Sequence, residues 1–201
     1  MKPTLIAAVL LVAVLLVAAP VPGSAQSAEW QIDPAHTAVQ FAVKHLGIST
    51  VRGTFRKTSG TLRYEPANPA EASVVVVIDA SSVDTRIEMR DNDLRSDHFF
   101  DVQKHPEITF KSTRIEMAGP GKLRVTGDLT LLGTTKQVTL DAEGPSKPLN
   151  DGYGHLRMGA SATTTVDRTD FGMTGFQAVA GTVVTLTIDV EFLQPLAPVS
   201  H

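Results

Sequence analysis

Apolar and polar residues alternate with a period of two through most of this chain, and a chain patterned that way folds as sheet. Thr37, Val39, Phe41 and Val43 share one face against Ala38, Gln40, Ala42 and Lys44. Val51, Gly53 and Phe55 repeat the pattern, as do Leu62 with Tyr64 and Ile108 with Phe110 and Ser112. Leu123, Val125, Gly127, Leu129 and Leu131 follow, then Val138, Leu140 and Ala142. The series closes with Leu156 to Val166 and with Val184, Leu186, Ile188, Val190 and Phe192. Ser73 to Ile78 is β-branched on both faces, which predicts a strand covered on both sides. Turn clusters such as Ser59-Gly60, Gly119-Pro120-Gly121 and Asn150-Asp151-Gly152 separate the segments. The sum is an all-β, antiparallel sandwich or barrel.

The two architectures differ in what fills the inner face. Here Gly53, Ser112, Gly127, Ala142, Ala160, Ala162 and Thr164 interrupt the large aliphatics. Small residues on several facing strands leave room for a cavity, as in a ligand-holding barrel. They equally serve to seat bulky neighbours in a filled interior. The pattern alone leaves both readings open.

One stretch breaks the alternation. Ser82 to Phe110 is charge-dense and reads as a helical insert between strands. Thr85-Arg86-Ile87-Glu88 has the form of a capping box, and Ser96 is placed to cap a second short helix carrying Phe99 and Phe100. His105-Pro106 ends the insert and launches the next strand. Two short helices there could cover one mouth of a barrel.

Residues 1–25 read as a signal peptide. Lys2 precedes an unbroken apolar run from Leu5 to Ala19, and Gly23-Ser24-Ala25 supplies small residues for cleavage before Gln26. The run is fifteen residues, short of the ~20 a membrane-spanning helix needs. Residues 26–193 are then a single domain and 194–201 a flexible C-terminal tail, in a periplasmic or otherwise secreted protein. With no cysteine a lipidated anchor at the cleavage site is excluded. The formal charge of −3 becomes −4 once Lys2 is removed, and no basic block occurs, so nucleic acid is a poor partner.

Motifs for chemistry are sparse. The six histidines fit neither a helical nor a strand metal pair, and Asp91-Asn92-Asp93 begins like a calcium loop but has Ser96 where glycine is needed. No nucleophile elbow or phosphate-binding glycine loop is found, and no cofactor is expected. The arginines of the insert can pair with Asp91, Asp93, Asp97 and Asp101. Alternatively Arg90 or Arg95 holds an anionic head group at a cavity mouth. Arg168 continues the inward parity of its strand and needs a carboxylate such as Asp170. A hydrolase or isomerase using His98 or His105 with Asp97, Asp101 or Asp170 is one rival reading. A ligand-free sandwich that binds other proteins is another.

In combination, several segments resemble the YceI-like family of polyisoprenoid-binding proteins. They are Asp33-Pro34-Ala35-His36-Thr37, Val43-Lys44-His45-Leu46-Gly47, Val51-Arg52-Gly53-Thr54-Phe55 and Ser82-Val83-Asp84-Thr85. Arg90 to Ser96, Phe99-Phe100-Asp101-Val102, Pro106 to Phe110, Gly127-Asp128-Leu129-Thr130 and Arg168 to Gly172 continue the match in order. Leu131-Leu132-Gly133 and His98 depart from the usual pattern at positions near a mouth. The resemblance implies a periplasmic, lipocalin-like antiparallel β-barrel with a short helical insert, holding a polyisoprenoid or other long-chain lipid without catalysis. On inward parity the lining is expected to be Phe41, Val43, Phe55, Phe110, Leu129, Met158, Ala160, Ala162 and Leu186. A homodimer is compatible with the sequence.

Overall fold

The computed structural model describes residues 28–196, and within them the alternating segments become twelve strands and one α-helix. In chain order these are β1 (Ala28–Ile32), β2 (Ala38–His45), β3 (Ser49–Phe55), β4 (Thr58–Tyr64), β5 (Ser73–Asp79) and β6 (Val83–Asp84). Helix α1 (Glu88–Arg95) precedes β7 (Glu107–Gly119), β8 (Lys122–Leu131), β9 (Thr134–Glu143), β10 (Leu149–Asn150), β11 (His155–Asp167) and β12 (Ala180–Pro195). The signal-like segment 1–25 and residues 197–201 lie outside the described residues. β12 runs through Pro195, two residues into the stretch expected to be tail, because Gln194 and Pro195 still pair with Leu156 and His155.

The sheet closes into an antiparallel barrel in the order β1-β4-β5-β7-β8-β9-β11-β12. β12 closes it by pairing with β11 on one edge over thirteen residue pairs, and with β1 and then β2 on the other. β2 continues the path of β1 and β3 that of β4, so the eight walls are long and alternate up and down. This settles the sandwich-or-barrel question. Three short strands, β1, β6 and β10, were not legible as alternating runs. β5 is not covered on both sides: Val74, Val76 and Ile78 face the core, while Val75 is 38% exposed on the outer face.

The insert Ala80–Pro106 spans one end of the barrel. β6 pairs with β3 through Val83↔Phe55 and Asp84↔Thr54, which ties the insert to the wall before α1 begins. Only one α-helix forms, and its cap differs from the expected box. Arg86 adopts a left-handed backbone conformation (φ 66°), so the chain turns before Glu88 can reach back to Thr85. The buried Asp91 carboxylate takes the role instead, accepting from Thr85 N (2.8 Å) and Thr85 Oγ1 (2.5 Å). Ser96 ends α1 rather than starting a second helix, its hydroxyl donating to Asp93 O at 2.6 Å. Phe99 and Phe100 follow in turns.

The opposite end is shut by Trp30, Ile32, Leu62, Met158 and Phe192. Beside it a polar clamp pins the bend between β1 and β2. Arg157 donates to Asp33 Oδ2 (2.5 Å), Glu191 Oε1 (2.6 Å) and Asp151 Oδ2 (2.8 Å). Burial pushes the Asp33 carboxyl up, but hydrogen bonds from His36, Arg157 and the Ala35 N–H outweigh it and hold it at about 2. The Arg157 guanidinium likewise holds Asp151 at about 2. Both values lie below the usual ~3.9, so the unfolded chain binds more protons on acidification and stability falls as pH drops. The melting temperature is expected to be flat down to about pH 5 and to fall steadily between about pH 4 and pH 2. Arg157→Met should melt lower at neutral pH and show a shallower acid slope in thermal scans; an unchanged slope would refute the clamp.

Candidate functional site

Inside the barrel lies a cavity of about 260 Å³ with almost no polar atoms on its surface. Strand geometry explains its chemistry. Every second residue of each wall points inward, and most of the inward set is aliphatic or aromatic. Of the expected lining, Phe41, Val43, Phe55, Phe110, Leu129, Ala160, Ala162 and Leu186 all face the cavity. Met158 does not. It is 2% exposed within the base cluster, packed with Trp30 and Phe192, and helps shut the lower end. The expected set also missed most of the aliphatic wall from β5 and β8, including Val74, Val76, Ile78 and Val125. Val125 lies on the alternating face of β8, so inward parity finds it. Ser73 to Ile78 is β-branched on both faces, and its pattern does not tell Val74, Val76 and Ile78 from their outward neighbours. Ile115 is different: register shifts after Ser112 and turns it inward.

The small inward residues divide into two kinds. A Cβ on Gly53 would lie 2.3 Å from Phe41 Cζ, and one on Gly127 2.5 Å from Phe110 Cζ. These glycines seat aromatic rings and do not widen the cavity. Ser112 repairs the ladder at the shift in register, accepting from Val74 N at 2.9 Å. Ala142, Ala160, Ala162 and Thr164 do border open space. Room for a ligand is therefore greatest along β9 and β11.

Arg90 and Arg95, expected at the mouth, and Arg168, expected to point inward, are all committed to other partners. Arg90 donates to Thr85 Oγ1 (2.7 Å) and Thr85 O (3.0 Å), which fixes the start of α1. Arg95 donates to Ser81 O (2.9 Å) and Val83 O (3.1 Å) and pairs with Glu88, stapling α1 to the chain before it. Neither lines the cavity. Arg168 does reach its wall and is 3% exposed, but Asp170 is not its partner. Its guanidinium donates to the carbonyls of Met173 (2.6 Å), Ala180 (2.9 Å) and Gly181 (3.0 Å), with the Phe99 ring 5.8 Å away. Burial pushes this guanidinium down from its usual value. Three carbonyls compensate a charge that the sequence predicts should need a carboxylate.

Leu94, Phe99 and Phe100 extend the lining from the insert, and Phe100 meets Phe55 edge-on at 5.5 Å. The insert therefore covers the cavity with apolar side chains, and apart from the buried Asp91 its carboxylates are at least partly exposed. His98 is on the outer side, hydrogen-bonded to Asp93 at 2.9 Å, and this carboxylate raises its pKa. Asp101 is engaged by Lys104 at 2.9 Å. The His98 pairings expected of a hydrolase are replaced by one with Asp93 on an exposed surface. Asp33, His36 and Glu191 are the one trio among the described residues with ligand atoms close enough for a metal. The Arg157 guanidinium already contacts two of the three.

Residues 30–192 match the model of the YceI-like domain. The chain belongs to the YceI-like family. A UPF0312 protein of Vibrio parahaemolyticus is 42% identical over 159 residues, covering 78% of this chain and 84% of that one. The crystal structure of BcnA from Burkholderia cenocepacia superposes with a TM-score of 0.71 at 25% identity, covering 80% of this chain and 98% of that one. A polyisoprenoid-binding domain of Saccharophagus degradans implicated in plant cell wall breakdown shares the fold, with a TM-score of 0.60 at 15% identity and coverage of 85% and 100%. In this YceI-like barrel the pairs Gly53–Phe41 and Gly127–Phe110 fix where aromatic mass ends and open space begins. Gly53→Ala is expected to cost about 1–3 kcal/mol by overpacking. Adding Phe41→Leu removes the ring atoms it strikes, so the double variant should be less destabilised than the sum of the singles in urea denaturation; strict additivity would show that the two sites do not touch.

Proposed function

We propose that this protein is an exported, periplasmic carrier that sequesters a long-chain isoprenoid or similar lipid. The observation that carries the proposal is the cavity inside the barrel, walled by hydrocarbon from all eight strands of the closed sheet and from the insert that covers it. Burial contributes roughly 0.8 kcal/mol per CH₂, so a chain of many carbons binds without a specific polar contact. The binding set is Phe41, Val43, Phe55, Phe110, Leu129, Ala160, Ala162 and Leu186, joined by Leu94, Phe99 and Phe100 from the insert. The likeness to the Saccharophagus degradans domain agrees with such cargo. The signal-like segment 1–25 supports export, and a mature N-terminus at Gln26 on protein recovered from the periplasm would bear it out.

Carriage is favoured over catalysis because the cavity presents no histidine or cysteine to a bound chain. His98 lies on the outer surface of the insert. With Arg90, Arg95 and Arg168 occupied, selectivity falls to the length and shape of the cavity and not to recognition of a charged head.

Organic extraction of the purified protein followed by mass spectrometry is expected to release a long-chain lipid in near-stoichiometric amount. Ala162→Phe fills the open stretch between β9 and β11 and should abolish that retention while the far-ultraviolet spectrum stays that of a β-barrel. A folded Ala162→Phe protein with its full lipid load would refute the carrier reading. So would wild-type protein that yields no lipid and takes up none.

A further inference from the structure

The barrel wall is thin at one place. β8 and β9 pair over ten residues, but β9 and β11 pair over only three, from Glu143↔Ser161 to Asp141↔Thr163. Towards the insert the two strands diverge. Their last link is a side chain, Thr164 Oγ1 donating to Thr139 O at 2.8 Å. An outer groove fills the gap, and Val138, Thr164 and Val166 line both it and the cavity. One layer of side chains separates the apolar interior from solvent here.

The groove is chemically unlike the interior. Lys136, Thr139, Thr163 and Thr165 stand on its rims, with Asp170 at its upper end. Among the described residues Lys136 has no carboxylate within ion-pair distance, and Asp167 is taken up by Thr169 and Thr182. A phosphate placed here would face Asp141, Asp167 and Asp170 against a single lysine, a poor balance of charge. A hydroxyl or amide both donates and accepts, and the groove offers partners for both.

We infer that the head group of the cargo passes through the β9–β11 seam and rests in this groove, and that the head is uncharged and carries a hydroxyl or amide. The inference rests on the carrier reading above. It places the polar end of the ligand in a groove with several polar partners, since the cavity wall is almost wholly apolar and its arginine is committed to backbone carbonyls. The competing place is Thr58, whose buried Oγ1 has no hydrogen-bond partner and which lines the cavity on β4, across the barrel from the seam.

The chain has no cysteine, so Thr165→Cys supplies a unique attachment point on the groove rim, with Asp128→Cys on the outer face of β8 as control. Each carries a bimane fluorophore and is loaded with geranylgeraniol, geranylgeranyl phosphate or the matching headless hydrocarbon, with occupancy read by native mass spectrometry. The alcohol is expected to shift emission at Thr165→Cys and not at Asp128→Cys, and the hydrocarbon to shift neither. Blocking Thr165→Cys with a bulky maleimide should weaken the alcohol roughly three- to tenfold, the worth of one or two neutral hydrogen bonds, and leave the hydrocarbon within about twofold. A silent Thr165→Cys fluorophore on protein loaded with the alcohol overturns the inference. So does loss of the alcohol's advantage over the hydrocarbon in Thr58→Val with the seam intact, because that puts the head inside the barrel. A preference for the phosphate overturns the uncharged head. If wild-type protein retains none of the three, the carrier reading falls and the seam inference with it.

Discussion

The double pairing of β12 holds the rest of the structure in place. An open sheet of this length has two edges and cannot enclose anything. β12 removes both by giving one edge to β11 along its whole length and the other to β1 and β2 in succession. The junction between β1 and β2 is the weak point of that arrangement, since the chain leaves the ladder at Asp33 and rejoins it after Thr37. Asp33 N donates to Glu191 O at 2.8 Å, and Glu191 N donates to Thr37 Oγ1 at 3.3 Å, so β12 keeps its partners across the jog. The Arg157 clamp then holds the jog against β11 and β12 through side chains.

Once the sheet is closed, parity separates the chemistry of the two surfaces. Inward positions meet one another across the barrel and outward positions meet water, so most charges of the chain fall outside. Among the described residues Asp33, Asp91 and Arg168 are buried. Arg168 is the cation of the three, and the carbonyls of Met173, Ala180 and Gly181 absorb it. That bonding also ties the turn after β11 to the start of β12. The charge closes the upper rim of the barrel, and three neutral acceptors at fixed positions make it tolerable there. Arg95 works similarly one layer out, bridging α1 to Ser81 and Val83.

Much of this was legible in the sequence, because a period of two is a direct readout of inside and outside. The expected inward residues of β2, β8 and β12 all lie on the core side. The failures share one cause: each depends on where a neighbour sits. Gly53 and Gly127 look like open space until Phe41 and Phe110 are placed beside them. Met158 has cavity parity, but β1 and the end of β12 close over it. Ile115 turns inward only because the register shifts after Ser112. The capping box at Thr85 is a sound local motif that the left-handed Arg86 overrules, leaving Asp91 to satisfy the same N–H from six residues away. The arginines carry no mark in the sequence that tells a backbone-bound guanidinium from a ligand-binding one.

The interior also bears on how a carrier can bind tightly and still let go. A tail buried against hydrocarbon gains affinity in proportion to its length, and none of that gain depends on a single bond that could be switched. Release then requires the wall or its cover to open, and the covering insert and the seam differ in what opening would break. The insert is held by Arg90, Arg95 and Asp91 in a connected set of hydrogen bonds, and by Phe99 and Phe100 packed on the core. Between the diverging ends of β9 and β11 the described contact is one hydroxyl on one carbonyl, with three aliphatic or hydroxyl side chains behind it. Local opening follows the number of buried contacts that must be lost, and by that measure the seam yields before the insert does. By this count of contacts the least-held part of the wall is the side of the barrel at the β9–β11 seam. The helical segment that looks most like a lid in the sequence is the more firmly tied of the two.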